Sequence, residues 1–206
     1  MLVAYAGSVN IVLPKKATNR VEYAAEYLQK KLSQQGITVS VTKNGKTDKK
    51  AQHYVYLSVS KNSSALKKEG FEITTAAKTT KQGSSTKVTI VGNDGTGCIY
   101  ACNELAEQIK KKGIQNLPAR IKDAPEMVLR GGCIGVQKPY LLPGRMVYEY
   151  PYTPELFPWF YDKQQWIEYL DMLVDNRMNS VYLWNGHPFA SLVKLPDYPY
   201  AVEVDD

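Results

Sequence analysis

The sequence of 206 residues contains little cysteine and histidine and has no long apolar run. Its cysteines are Cys98, Cys102 and Cys133, and its two histidines, His53 and His187, lie far apart in the sequence. A structural zinc site needs four ligands at close spacing, so this pattern predicts no metal and no metal cofactor. A membrane-spanning helix needs about 18 or more successive apolar residues, so we expect no membrane span.

Signals for targeting and for phosphate binding are weak as well. The first 14 residues are mildly apolar but have no basic flank, so they do not indicate a signal peptide. The glycine-rich stretch GNDGTG, residues 92–97, lacks the Gly-Lys-Ser/Thr of a Walker loop and the complete dinucleotide fingerprint. It predicts a tight turn at the start of a helix.

Charge and aromatic residues are unevenly distributed. Residues 1–124 carry 20 Lys and Arg against 9 Asp and Glu, whereas residues 125–206 carry 6 against 11. Of the 22 aromatic residues, 15 lie between Tyr140 and Tyr200. These contrasts predict two domains, 1–124 and 125–206. The lysines are scattered over loops and helix faces, which indicates a solvated surface; a nucleic-acid-binding domain is kept as an alternative.

The first segment alternates strand and helix patterns, which predict a compact α+β domain of order β-α-β-β-β-β-α, a mixed sheet with two helices. The β-rich or alternating stretches are residues 9–13, 37–41, 53–60, 71–76 and 87–92. Apolar stripes predict helices over 17–36 and 95–113, each ended by a glycine. We expect the polar residues 77–85 to link two strands.

The second segment predicts one parallel β-α-β unit. Residues 126–136 form a mostly apolar strand pattern that contains Arg130, and residues 180–184 form another. Between them lie a long loop rich in Pro and Tyr, residues 137–161, and a helix pattern over 162–179. The apolar stripe of this helix consists of Trp166, Leu170, Leu173 and Val174.

The stretch VTIVGNDGTGCIYACNELAEQI, the linker-strand motif DAPEMVLRGG and the helix end NRMNSVYLW together resemble the front end of family 20 glycoside hydrolases, the β-N-acetylhexosaminidases. α-Glucuronidases carry a similar accessory domain. The resemblance implies a non-catalytic domain followed by the first β-α-β of a truncated (β/α)8 barrel. It also implies that the catalytic carboxylate pair lies beyond residue 206, so we expect no catalytic residue here.

The resemblance carries over two sugar-binding positions, Arg130 in the first barrel strand and Asn185 at the mouth of the second. Asn185 replaces a family histidine, and GCIGVQKPY departs from the family pattern after the "RG". Barrel enzymes keep their sites where strands end, which adds Trp184 and His187. Loop residues Arg145 and Trp159 are candidates for an acidic group and for a sugar face.

The sequence therefore predicts the N-terminal fragment of a carbohydrate-active glycoside hydrolase, inactive alone, whose partners are a glycan and the remainder of its own polypeptide. Such enzymes commonly act outside the cytoplasm, so we expect a periplasmic or secreted protein. A non-catalytic carbohydrate-binding module is the alternative.

Overall fold

A computed structural model of the chain describes residues 7–60, 66–80, 83–135 and 158–184. The chain forms two compact units, Met1–Glu126 and Met127–Asp206.

The first unit is an α/β domain built on a mixed six-stranded sheet. Its strands and helices are β1 (Ser8–Val12), α1 (Asn19–Gln34), β2 (Thr38–Thr42), β3 (His53–Val59), β4 (Phe71–Thr80), β5 (Gly83–Gly92), α2 (Gly95–Lys112) and β6 (Arg120–Asp123). A short 3-10 helix, Ile114–Asn116, follows α2. The strand order is β2-β1-β3-β5-β4-β6. β2, β1, β3 and β5 run parallel, and β4 pairs antiparallel with β5 and β6.

The core of this unit lies between one face of the sheet and the two helices. The predicted apolar stripes of both helices are buried: Val21, Ala24, Ala25, Leu28 and Leu32 in α1, and Ile99, Cys102, Leu105, Ala106 and Ile109 in α2. They face inward-pointing strand residues such as Ile11, Val55, Val88 and Ile90. Gly97 in the first turn of α2 permits this packing, because a Cβ there would overlap the Gly70 carbonyl oxygen. Burial of these stripes supplies the main driving force for folding.

Both helices that the apolar stripes predict are confirmed, and a local feature marks three of their four ends. Asp94 caps α2 by accepting a hydrogen bond from the Gly97 amide at 2.8 Å, and its other oxygen accepts from the Glu69 amide at 3.0 Å. α1 is followed by Gly36 and α2 by Gly113, each at φ +80°, a conformation that glycine adopts without steric cost.

Two predictions about this unit are wrong. The polar residues 77–85 are not merely a linker, because β4 and β5 extend through most of them as hairpin arms. The predicted order, which ended with the second helix, lacks β6. Its sequence RIKD is short and polar, and Ile121 is its single apolar residue. It pairs at the edge of the sheet, where one side of a strand needs no neighbour.

His53 is a titratable side chain in the interior of this unit. It is 1% exposed, and its Nδ1 accepts a hydrogen bond from the Thr86 amide at 3.1 Å. The proton of the neutral ring therefore resides on Nε2, which is buried and has no hydrogen-bond partner in the described part of the chain. Burial lowers the pKa of His53, because it disfavours the charged imidazolium.

The second unit contains the predicted parallel β-α-β arrangement, which is confirmed. β7 (Gly131–Gly135) pairs in parallel with β8 (Ser180–Trp184), and α3 (Lys163–Asp175) lies between them in the chain. The Asp162 carboxylate caps α3 by accepting from the amides of Gln164 and Gln165. In the described ranges, no helix has both the length and the apolar character needed to cross a membrane.

The predicted extent of the first strand is wrong at its start. β7 begins at Gly131, so Arg130 precedes the strand. Met127, Val128 and Leu129 are 69%, 78% and 75% exposed, so the apolar run that suggested a strand is not core. Of the predicted α3 stripe, Leu173 is buried, whereas Leu170 is 48% exposed.

Candidate functional site

The candidate site lies at the end of the β7–β8 pair where both strands finish. Gly135 and Trp184 are register partners, so the chain leaves the two strands at the same edge. In parallel α/β architectures this carboxyl end is where ligand-binding loops gather. The segments that follow the two strands carry Arg145, Asn185 and His187, which lie outside the described residues. The structure describes the backbone of Trp184 as the last residue of β8 but not its side chain.

Arg130 lies at the opposite, amino-terminal end of the pair. Its Nε donates to the Arg177 carbonyl oxygen at 2.8 Å, and its Nη1 donates to the Met127 carbonyl oxygen at 2.6 Å. Hydrogen bonds from a charged donor are stronger than neutral ones. The guanidinium thus connects the segment before β7 to the turn after α3. Its role as a sugar ligand stays a prediction, and the contacts observed are those of a structural clamp.

Asn179 and Ser180 complete this clamp, although sequence reasoning did not single them out. The Asn179 side chain accepts from the Arg130 amide at 3.0 Å and donates to the Val128 carbonyl oxygen at 2.9 Å. The Ser180 hydroxyl donates to the Arg130 carbonyl oxygen at 2.9 Å. An Asn-Ser pair at the start of a strand was the available signal, since both side chains commonly bond to nearby backbone groups.

Close approach of the two strands depends on Gly131. A Cβ at this position would overlap the carbonyl oxygen and hydroxyl of Ser180. At the next position, Gly132, a Cβ would meet only the Tyr169 hydroxyl, at 2.9 Å. The two glycines of the "RGG" motif therefore have different roles: the first sets the separation of the backbones, and the second faces the free end of an α3 side chain.

Trp159 lies in an aromatic cluster at the start of α3. It belongs to the 3-10 helix Pro158–Tyr161, and its ring centroid is 6.0 Å from that of Phe160 and 6.2 Å from that of Trp166. The Trp166 indole donates to the Phe160 carbonyl oxygen at 2.7 Å. Phe160 is buried, and Trp159 is half-buried. The cluster anchors the end of the long loop, and Trp159 keeps part of its surface accessible.

The strand register separates two of the predicted site residues. Arg130 precedes Gly131, which pairs with Ser180 at the amino-terminal edge, whereas Trp184 pairs with Gly135 at the carboxyl-terminal edge. The turn after α3 is bonded to Arg130. Arg130 and the end of β8 therefore lie at opposite edges of the pair, and the predicted site residues do not all converge.

Nucleophilic chemistry receives no support from the two cysteines of α2. Burial raises the pKa of Cys98 to about 11 and raises that of the fully buried Cys102 as well. Cys98 Sγ also donates to the Ser58 carbonyl oxygen at 3.3 Å. Both thiols are packing groups of α2. Across the described residues, no three His, Cys, Asp or Glu side chains are arranged to hold a metal ion.

Comparisons with known proteins agree with the architecture of the first unit. Residues 3–124 match the family model described as glycosyl hydrolase family 20, domain 2. Among solved structures, a GH138 enzyme targeting pectin rhamnogalacturonan II is similar at 48% identity and a TM-score of 0.74. That match covers 97% of this chain and 21% of that chain, so this chain spans about a fifth of its relative.

A second solved structure, the chitobiase of Flavobacterium johnsoniae, is similar at 16% identity and a TM-score of 0.49, over 86% of this chain and 23% of that chain. No curated protein matches. The resemblance that the sequence motifs suggested is confirmed by the family model, which covers more than half of the chain. The chain belongs to the glycosyl hydrolase family 20, domain 2 family, the accessory domain of glycoside hydrolases.

Proposed function

We propose that this chain is the N-terminal part of a glycoside hydrolase, in which the family domain supports a (β/α)8 barrel that begins with β7, α3 and β8. The observation that carries the proposal is the parallel β-α-β unit, directly after the accessory domain in the chain. Two parallel strands and one helix leave most of their surfaces uncovered, as a first repeat of a larger barrel does. The exposed apolar residues of this unit include Ile167, Leu170, Met172 and Tyr182.

The chain would contribute part of the wall of the sugar site. The aromatic faces and polar groups that sugar binding uses would come from two places in the chain. The first is Trp184, Asn185 and His187, at and after the end of β8, and the second is Trp159, at the start of α3. Arg145 in the long loop supplies a cation for an acidic sugar. The catalytic carboxylates would come from later strands, as in other glycosidases that use an Asp or Glu pair.

A pectic glycan is the substrate class that we propose. The GH138 enzyme that shares 48% of residues with this chain is described as targeting pectin rhamnogalacturonan II. The departure of residues 132–140 from the hexosaminidase pattern is consistent with a sugar other than an N-acetylhexosamine. Since pectin is an extracellular polymer, we further propose that the protein is periplasmic or secreted.

The test is hydrolysis by the complete polypeptide that contains this chain. We expect it to release saccharides from rhamnogalacturonan II but not from chitooligosaccharides, as measured by chromatography of the products. Trp184→Ala should lower kcat/KM toward the pectic substrate, and Lys15→Gln, a change in the exposed β1–α1 loop, should leave it unchanged. Binding without any hydrolysis would favour the alternative, a non-catalytic carbohydrate-binding module. Release from chitooligosaccharides alone would contradict the substrate class.

A further inference from the structure

In the part of the chain that the structure describes, one face of the six-stranded sheet carries no helix. Along β3, Val55 and Leu57 are buried toward the helices, whereas Tyr54, Tyr56 and Ser58 alternate with them and are half-buried. The loop of residues 43–52 covers this second face over β1, where the Asp48 amide donates to the Asn10 side chain at 3.0 Å. The uncovered remainder, on β3, β5, β4 and β6, is called the open face.

The open face is strongly cationic. Four cationic side chains are exposed there: Lys78 on β4, Lys87 on β5, and Arg120 and Lys122 on β6. Their strand register places them on the side opposite the helices. Its described carboxylate is that of Glu72, which pairs with Arg120 at 2.8 Å. Three ammonium groups therefore remain for a ligand after the internal ion pair is formed.

The loop beside this face adds further positive charge. It contains the exposed residues Lys46, Lys49 and Lys50. The Tyr54 hydroxyl donates to the Asp48 carbonyl oxygen at 3.2 Å, which holds the loop against β3. The cations thus extend from the sheet onto the adjoining loop, and neighbouring charges of one sign attract an extended polyanion better than a small ion.

An aromatic ring lies among these cations. Tyr56 is half-exposed, and the Lys87 Nζ lies 5.0 Å from the centroid of its ring. The register continues from Tyr56 through Thr89 and Thr74 to Arg120 on four adjacent strands. With strands about 4.8 Å apart, this row is about 14 Å long. It presents a ring, two hydroxyls and a guanidinium in a line.

We propose that the open face binds an acidic polysaccharide chain that carries uronate carboxylates. Charge complementarity selects the anionic ligand. The threonine hydroxyls and the tyrosine ring supply hydrogen bonds and a flat apolar surface suited to a pyranose. The choice of a glycan over other polyanions rests on the proposed function. The surface would hold the polymer on the accessory domain, outside the site at the ends of β7 and β8.

The test measures binding of polygalacturonate oligosaccharides to the chain of 206 residues by calorimetry at two salt concentrations. We expect saturable binding that weakens with salt, and no binding of the fully methyl-esterified oligosaccharides, whose sugars are the same but uncharged. Lys87→Gln combined with Lys122→Gln should weaken binding about tenfold. Tyr56→Leu, which leaves the net charge unchanged, should weaken it severalfold. Circular dichroism and thermal melting verify that each variant is folded.

The matched control removes two equally exposed lysines of the β1–α1 loop, Lys15→Gln with Lys16→Gln, and should change the Kd by less than twofold. An equal loss of affinity in the two double variants would show that binding follows net charge alone, and would overturn the proposal. Absence of binding would overturn it as well. The same holds if duplex DNA binds with the affinity of the oligosaccharide and is weakened equally by these variants. Any of these results leaves the glycosidase proposal standing, because hydrolysis is assayed separately on the complete polypeptide.

Discussion

Gly131→Ala tests the packing of β7 against β8. The new methyl group would overlap the Ser180 carbonyl oxygen and lie 2.7 Å from its carbonyl carbon. Those atoms belong to the backbone of a paired strand, so relief requires the strands to separate. Overpacking of this kind costs about 1–3 kcal/mol, and the lower entropy of the unfolded alanine chain offsets about 0.4–1 kcal/mol. The net loss expected in the free energy of unfolding is about 1–2 kcal/mol.

Gly132→Ala is the matched control. Its Cβ meets only the Tyr169 hydroxyl, at 2.9 Å, and a side-chain end can move where a backbone carbonyl cannot. We therefore expect a net change within about 0.5 kcal/mol, since a small clash and the entropy gain oppose each other.

Urea unfolding followed by tryptophan fluorescence measures this difference selectively. All three tryptophans, at positions 159, 166 and 184, belong to the second unit, so the signal reports on it and not on the accessory domain. With a slope of about 2 kcal/mol per molar urea, the middle of the usual range, Gly131→Ala should lower the midpoint by roughly 0.5–1 M. Equal midpoints for the two alanine variants would refute the close parallel approach of β7 and β8.

Three further outcomes are expected. Arg130→Met should destabilise the second unit by about 1–3 kcal/mol, because two charge-assisted bonds to carbonyl groups are lost. The urea midpoint of the first unit, followed by far-UV circular dichroism, should fall as the pH drops below about 6.5, since the lowered pKa of buried His53 keeps it neutral when folded while the unfolded chain takes up a proton. Of the three thiols, only Cys133 should react quickly with a disulfide reagent at pH 8, because Cys98 and Cys102 are buried.

Each of these outcomes has a contrary result. If Arg130→Met leaves stability unchanged but raises KM in the complete enzyme, the residue binds sugar and the clamp is secondary. The contribution of His53 to the free energy of unfolding is complete above the pKa of the unfolded state and is lost as the pH falls toward the pKa of the folded state. A His53→Leu variant with the same acid dependence would assign the loss to carboxylates instead. Reaction of two or three thiols in the native protein would show that α2 is not packed as described.

The fold of the first unit could largely be predicted from the sequence because its helices have unbroken apolar stripes. Leu28, Leu32, Leu105 and Ile109 recur at helical spacing, and all four are buried. β6 could not be predicted, because an edge strand with Ile121 as its single apolar side chain has the composition of a linker. Pairing with β4, which is distant in the sequence, decides its conformation.

The position of Arg130 outside the strand could not be predicted from the sequence either, for a different reason. An apolar run beside a glycine pair has the pattern of a buried strand, yet Val128 and Leu129 are exposed and the strand starts at Gly131. The contacts of Asn179 and Ser180 with Arg130 join segments about 50 residues apart. The periodicity of apolar residues indicates which side of one helix or strand is buried. The hydrogen bonds of Asn179 and Ser180 form only because two distant segments meet in the fold, and no local pattern predicts them.

The most direct test compares the chain of 206 residues with the complete polypeptide of the same reading frame on rhamnogalacturonan II. We expect that the complete polypeptide releases saccharides and that the chain alone releases none, because the catalytic carboxylates would lie on later strands. Saccharide release by the chain alone, or none by the complete polypeptide, would contradict it.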